Sequence, residues 1–223
     1  MTDAATHPGP ELLLGHVTGG LAVPFAVLIG AHLELCAHCR AEAARLEAIG
    51  GDLLAELPPA GSPDGGLAAT LARLDEPAAP LPAPLPAERD APTLARLPAA
   101  LRRYVRQPLH ALPWCAVTKG LSVVEFSDLR RHCVRAQLLS SRPGQALPHH
   151  RHSGTELTLV LSGGLSVEGA HFGRGDVMGA EPGEVHRPVT EPGEDCLSFA
   201  VADGPLRFTR PLQRLWQLIT RYR

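Results

Sequence analysis

The sequence predicts an α + β multidomain chain: a small N-terminal helical domain able to bind metal, then an antiparallel β-barrel closed off by a C-terminal helix. Three observations predict it. Apolar residues recur at helical spacing in the first third of the chain and in short, alternating runs in the second half. A proline-dense stretch separates the two textures, and each side of it carries its own cluster of His, Cys or Glu at ligand spacing. At 223 residues the chain suits two small domains, each with a core of its own, better than one large one.

Composition narrows the function before any motif is read. Hydrophobic residues at 44% against 20% charged describe a globular chain, not a disordered tail or a membrane protein. Lys plus Arg at 21 against Asp plus Glu at 23 leaves a net charge of −2, without the basic excess that phosphate neutralisation requires, so direct nucleic-acid binding is not expected. No Lys or Arg precedes Arg40, and the early apolar run Leu21 to Ala31 contains Pro24 and Gly30 and falls well short of the roughly 20 residues that span a bilayer. These features predict a cytoplasmic protein. In that reducing compartment Cys36, Cys39, Cys115, Cys133 and Cys196 are expected to serve as metal ligands, redox sensors or buried fillers rather than as a disulfide framework.

In chain order, leucines and alanines at helical spacing predict helices over residues 11–19, 25–35 and 37–49, with Gly50-Gly51 as a stop signal. Leu67, Leu71 and Leu74 predict one more short amphipathic helix. Of 22 prolines nine lie between Pro58 and Pro92, and the near-repeat from Pro77 to Pro86 favours extended polyproline II. We therefore divide the chain into a helical domain over 1–76, a linker over 77–98 and a β domain over 99–223. Short apolar runs at 134–139, 157–161 and 196–201, separated by Gly, Pro and Asp turns, predict antiparallel strands. The last segment, Pro211 to Tyr222, places Leu212, Leu215, Trp216 and Ile219 on one helical face that would pack on the barrel.

The helical part contains His32-x3-Cys36-x2-Cys39. An imidazole and a thiolate one helical turn apart project from one face, and a second thiolate follows three residues on. Three N/S donors of this softness suit tetrahedral zinc, which requires a fourth ligand. His7, His16 and His38 are the candidates. His38 points away from a metal shared by the two cysteines, His16 could reach, and the arm around His7-Pro8 has the most freedom to fold back. A leading His, a helix, then His-x3-Cys-x2-Cys makes residues 6–49 resemble the zinc-binding domain of ChrR-type anti-sigma factors. The resemblance implies His7, His32, Cys36 and Cys39 as the zinc set. It further implies a domain that clasps an extracytoplasmic-function sigma factor and blocks its access to RNA polymerase, with Leu67, Leu71 and Leu74 on a helix that contacts the partner.

The β part contains Gly144-x5-His150-x-His152-x3-Glu156-x6-Gly163. Alternate residues of a strand share a face, so His150 and His152 point together and His149 points away. Glu156 follows where the strand resumes, and His186, in Pro182-Gly-Glu-Val-His186, offers a fourth ligand. Three imidazoles and a carboxylate suit zinc or another divalent transition metal such as iron, manganese or nickel. This is the two-motif pattern of a cupin, with two departures in the second motif: Pro182 and Gly183 are adjacent, and Thr190 stands where Asn is common. His171 is expected to be exposed, and neither His110 nor His132 has a partner that the sequence reveals.

From Pro148 to Phe208 the chain also resembles the C-terminal cupin of the ChrR-type anti-sigma factors, including the run Glu156 to Leu161 and the closing Gly204-Pro-Leu-Arg-Phe208. The resemblance implies a metal-bearing domain that senses singlet oxygen or organic peroxide, after which the sigma factor is released. Members of the family often carry a Cys-x-Cys pair after the last His; here it reads Cys196-Leu-Ser198, which cannot form that disulfide. As a redox residue Cys196 would act alone, with Cys133, or with a peroxide at the metal; the other reading is a buried filler. The competing function is a cupin metalloenzyme such as a dioxygenase, which has no need of the Cys-bearing helical domain ahead of it. A regulator, not an enzyme, is the expected class.

Overall fold

The computed structural model describes residues 4–61, 65–74, 76–77, 88–129 and 134–208. Among these residues six α-helices come first: α1 (Pro10–Val17), α2 (Val23–Leu35), α3 (Ala37–Ala55), α4 (Gly66–Leu74), α5 (Ala91–Arg96) and α6 (Ala99–Arg102). Twelve strands follow: β1 (Cys115–Thr118), β2 (Leu121–Glu125), β3 (Arg135–Ser141), β4 (His150–His152), β5 (Glu156–Ser162), β6 (Leu165–Val167), β7 (Ala170–Phe172), β8 (Val177–Ala180), β9 (Val185–His186), β10 (Val189–Thr190), β11 (Cys196–Ala202) and β12 (Leu206–Phe208). All pairings are antiparallel and form three sheets, in the orders β1-β2-β3-β11-β5-β8, β10-β6-β7 and β12-β4-β9. The expected α + β class is present, although the sheets do not close into one continuous barrel; a cavity lies between them, lined by residues of all three.

The three apolar runs of the sequence are the central strands β3, β11 and β5. β5 and β11 read as continuous apolar runs because both of their faces are covered. Leu157, Leu159 and Leu161 of β5, with Leu197, Phe199 and Val201 of β11, share one core with Phe25, Leu28 and Ile29 of α2. The alternate residues Thr158, Ser198 and Ala200 face the cavity. α2 is apolar nearly all round, as a helix wedged between other elements must be. The expectation of two separate cores is therefore corrected: among the described residues the helices and the large sheet bury one common core.

Two further corrections concern the helices. α3 does not stop at Gly50-Gly51 but runs to Ala55, ending just before Pro58-Pro59, where the chain can no longer be helical. Two helical glycines cost about 1 kcal/mol each relative to Ala, which a 19-residue helix tolerates. Cys36 is not on a continuous helix with His32: it is extended, with φ −119° and ψ 112°, and forms the joint at which α2 ends and α3 begins. Its Sγ accepts a hydrogen bond from the Cys39 amide at 3.4 Å and so caps α3.

The end of the proposed linker is also structured. Asp90 caps α5 through the Thr93 amide at 3.0 Å, and Thr93 and Leu97 are buried, so residues 90–98 pack on the core instead of spacing it. Residues 78–87, the heart of the proline repeat, and the predicted C-terminal helix over 211–222 lie outside the described residues, as do His132 and Cys133.

Candidate metal centres

The N-terminal candidate site gathers three separate segments. His7 lies on the extended arm ahead of α1, His32 is on the last turn of α2, Cys36 is the joint, and Cys39 opens α3. His7 Nδ1 is 3.5 Å from Cys36 Sγ and 3.4 Å from Cys39 Sγ. His32 Nδ1 donates to the Gly175 carbonyl at 2.7 Å, which leaves Nε2 as the ring nitrogen to face a metal. One donor atom from each of the four residues lies within 4.8 Å of all the others; His32, Cys36 and Cys39 are buried and His7 is exposed. Two thiolates and two imidazoles converging at this spacing fit a tetrahedral zinc ion. Of the three histidines offered by the sequence as fourth ligand, His7 is thus the one brought to the cysteines. His16 is half-buried beside Gly30, and His38 is exposed, its ring 5.0 Å from that of His7.

The second candidate site is built by strand register. His150 and His152 point together from β4, and His150 pairs directly with His186 of β9. Glu156 opens β5 and reaches in from the large sheet. Its Oε2 is 3.0 Å from His152 Nε2, 3.2 Å from His186 Nε2 and 3.8 Å from His150 Nε2. His150 Nδ1 donates to the Pro148 carbonyl at 2.8 Å, which fixes that ring with Nε2 inward. All four side chains are buried, with their donor atoms within 4.8 Å of one another. Burial alone would raise the Glu156 carboxyl; the imidazoles of His150, His152 and His186 around it outweigh burial and hold that group well below the usual carboxylate range. A buried anion ringed by three imidazole nitrogens is a donor set that a divalent transition ion fits.

The cluster lies in the wall of the cavity between the sheets, whose interior volume is about 60 Å³. Its other walls are mainly apolar, including Val117, Leu121, Leu139, Leu147, Leu165 and Met178. Room for a small molecule thus exists directly against the donor set.

The remaining sequence candidates divide clearly. Cys196 is buried in β11 against Val160 and Leu165 and is not among the residues that line the cavity. Burial, followed by the carboxylates of Glu191 and Glu194, pushes its thiol up to about 12, which opposes thiolate chemistry. His149 is half-buried outside the cluster; His171 is exposed, as expected, and meets Glu191 at 2.5 Å. Leu67, Leu71 and Leu74 on α4 are exposed at 73%, 52% and 75%. Reading α3 as ending at Gly50 concealed a second exposed apolar group, Ile49, Leu53, Leu54 and Leu57, on and just beyond its last turns. Leucines continuing at helical spacing beyond the glycines were the signal that could have found it.

These features define a cupin-like protein that carries a separate His/Cys donor set on helices packed against the cupin. Residues 103–207 match the ChrR Cupin-like domain family. Over 211 residues the chain is 38% identical to Anti-sigma-E factor ChrR of Cereibacter sphaeroides, a span that covers 95% of each protein. The crystal structure of Rhodobacter sphaeroides SigE in complex with the anti-sigma ChrR contains a chain that matches with a TM-score of 0.76 and 34% identity, covering 90% of this chain and 100% of that one. The chain belongs to the ChrR family of anti-sigma factors. No helix among the described residues is long and apolar enough to cross a membrane.

Proposed function

We propose that this chain sequesters an extracytoplasmic-function sigma factor in the cytoplasm and releases it when singlet oxygen or an organic peroxide acts at the cupin. In this reading residues 1–76 are the clasp and residues 99–223 the sensor. His7, His32, Cys36 and Cys39 hold a zinc ion that fastens the arm, α2 and α3 into one unit. His150, His152, Glu156 and His186 hold zinc or another divalent transition metal, which would supply a Lewis-acidic centre to an oxidant entering the cavity. The chain's own part is to keep that set dry, to hold the Glu156 carboxylate ionised among three imidazoles and to admit a small apolar molecule past Leu121, Leu139 and Leu147.

One observation carries the reading: seven large apolar side chains stay exposed on α3, α4 and the residue between them, from Ile49 to Leu74, whereas Phe25, Val27, Leu28 and Ile29 of α2 are buried. Apolar groups concentrated this way mark a surface awaiting a partner, and the homologous ChrR was crystallised with SigE. The test is co-expression with the candidate sigma factor, followed by size-exclusion chromatography. A 1:1 complex is expected for the unaltered chain and none for Cys36→Ala or Cys39→Ala. Stoichiometric complex formation by those variants would refute the clasp. The dioxygenase alternative draws on the three-His, one-Glu set beside an apolar cavity; oxygen-dependent turnover of small substrates by the iron-loaded protein would favour it.

A further inference from the structure

The arm that presents His7 has no secondary structure of its own, and what holds it belongs to the other domain. The amides of Ala5 and Thr6 both donate to Asp176 Oδ1, at 2.5 and 2.7 Å, and the Thr6 carbonyl accepts from the Val177 amide at 3.2 Å. Asp176 is buried, and its second oxygen, Oδ2, accepts from the Gly173 amide at 2.7 Å, which ties the carboxylate to its own turn as well as to the arm. One residue earlier, the Gly175 carbonyl accepts from His32 Nδ1. This corner, between β7 and β8, is locked to β5 by Gly175 N to Val160 O at 2.9 Å and by Val160 N to Asp176 O at 3.1 Å. Gly175 has a φ of +96°, and a Cβ placed there would lie 3.4 Å from Leu35 Cβ and 3.5 Å from Ala4 Cβ. Backbone conformation and close packing both call for glycine at this point.

Two of the four donors in the His/Cys site are therefore oriented by a cupin corner about 140 residues or more away in sequence. We propose that Gly175 and Asp176 form the outer shell of that site, with Asp176 as a positioning residue for His7, so that the helical module holds zinc at full affinity only with the cupin corner in place. Outer partners of this kind fix the orientation of a ligating imidazole, and their loss typically weakens metal binding about 10- to 100-fold. The inference rests on the reading that His7, His32, Cys36 and Cys39 bind a metal, and it adds a physical joint between sensor and clasp that the sequence did not disclose.

The test uses the full-length chain titrated with cobalt(II), because absorption from thiolate-to-cobalt charge transfer reports the Cys36/Cys39 site and not the cupin set. Asp176→Ala is expected to weaken cobalt binding in that band at least tenfold. Ala5→Pro, which removes one arm donor and leaves every cupin residue unchanged, should weaken it in the same direction by a smaller factor; it carries the test if Asp176→Ala does not fold. On a His7→Ala background, Asp176→Ala should cost less than about threefold more, because the ligand it positions is gone. Unchanged affinity in Ala5→Pro together with any folded Asp176 variant would overturn the proposal. So would an undiminished Asp176→Ala loss on the His7→Ala background, which would mark a general weakening of the fold. An unaltered protein with no charge-transfer band would overturn the metal reading itself, and the positioning role with it.

Discussion

The two donor sets are assembled in opposite ways. His150, His152 and His186 come from adjacent strands in one small sheet, and their meeting follows from a register in which His150 faces His186 across β4 and β9. His7, His32, Cys36 and Cys39 come from an irregular arm, a helix end, an inter-helix joint and a helix start; the His32 ring and the arm just ahead of His7 are held by hydrogen bonds to the cupin. The three imidazoles of the first set are a product of local strand geometry, with Glu156 added from the large sheet; the second set depends on the docking of helices and arm on the cupin. A site of the second kind is the one through which a change in domain contact could be felt, because its ligands lack a rigid frame of their own. The first is suited to a fixed task, namely holding a cation against a small apolar cavity.

The sharpest way to break this contrast is to remove the carboxylate from the rigid set. Glu156→Gln should abolish oxidant-triggered release while capture of the sigma factor persists, since the clasp draws nothing from Glu156; mixing the variant complex with peroxide and scoring free sigma factor checks it. Loss of capture as well would show that the two sites are not separable. The same residue gives a pH signature in metal-free protein. Its folded pKa is depressed, so its contribution to stability is present above the ordinary Glu value near 4.3 and is lost as pH falls through the lower folded value. In Glu156→Gln that part of the acid dependence should vanish from thermal unfolding curves.

A smaller effect sharpens the other half. Leu53 and Leu71 are exposed at 61% and 52%, so truncating either to Ala opens no cavity, and the melting temperature should shift by no more than the experimental scatter. If they contact the sigma factor at the centre of the interface, each truncation should cost about 1–3 kcal/mol of binding, measured by calorimetry on the purified pair. A melting temperature that falls with each truncation would instead place these leucines in the fold.

Much of this was legible in the sequence, for reasons that differ between the regions. His150-x-His152 on one strand fixes a shared face by the two-residue period alone, and that face is what the structure has. Spacing sets His38 aside and favours the free arm at His7 over His16 without excluding His16, and the resemblance implies His7; the arm that carries it is bonded at Ala5 and Thr6 by Asp176, 169 positions beyond His7 in the cupin. α3 passes Gly50-Gly51, where the sequence predicts a stop, because glycine disfavours a helix without forbidding it, whereas Pro58-Pro59 does forbid it. The single core shared by α2 with β5 and β11 was equally hidden. An apolar helix such as Phe25 to Leu35 is consistent with burial against anything, and periodicity does not name its partner.

The smallest expected effect concerns Cys196, the residue for which the sequence left redox chemistry open. With its thiol buried against Val160 and Leu165 and pushed up to about 12, the thiolate that an oxidant or alkylating agent needs is scarcely populated at neutral pH. Cys115, on the first strand, is exposed. Iodoacetamide at neutral pH should therefore modify Cys115 well before Cys196, as read by peptide mass spectrometry of the folded protein. The raised folded pKa also sets the sign of the pH dependence: the contribution of Cys196 to stability is complete below the thiol's ordinary pKa of about 8.5 and is lost as pH rises from there toward 12. Cys196→Ala should remove that alkaline decline and leave peroxide-induced release of the sigma factor intact. Release that disappears in this variant, with the fold preserved, would move the sensing chemistry from the cupin donor set to the thiol and dissolve the division of labour between the two sites.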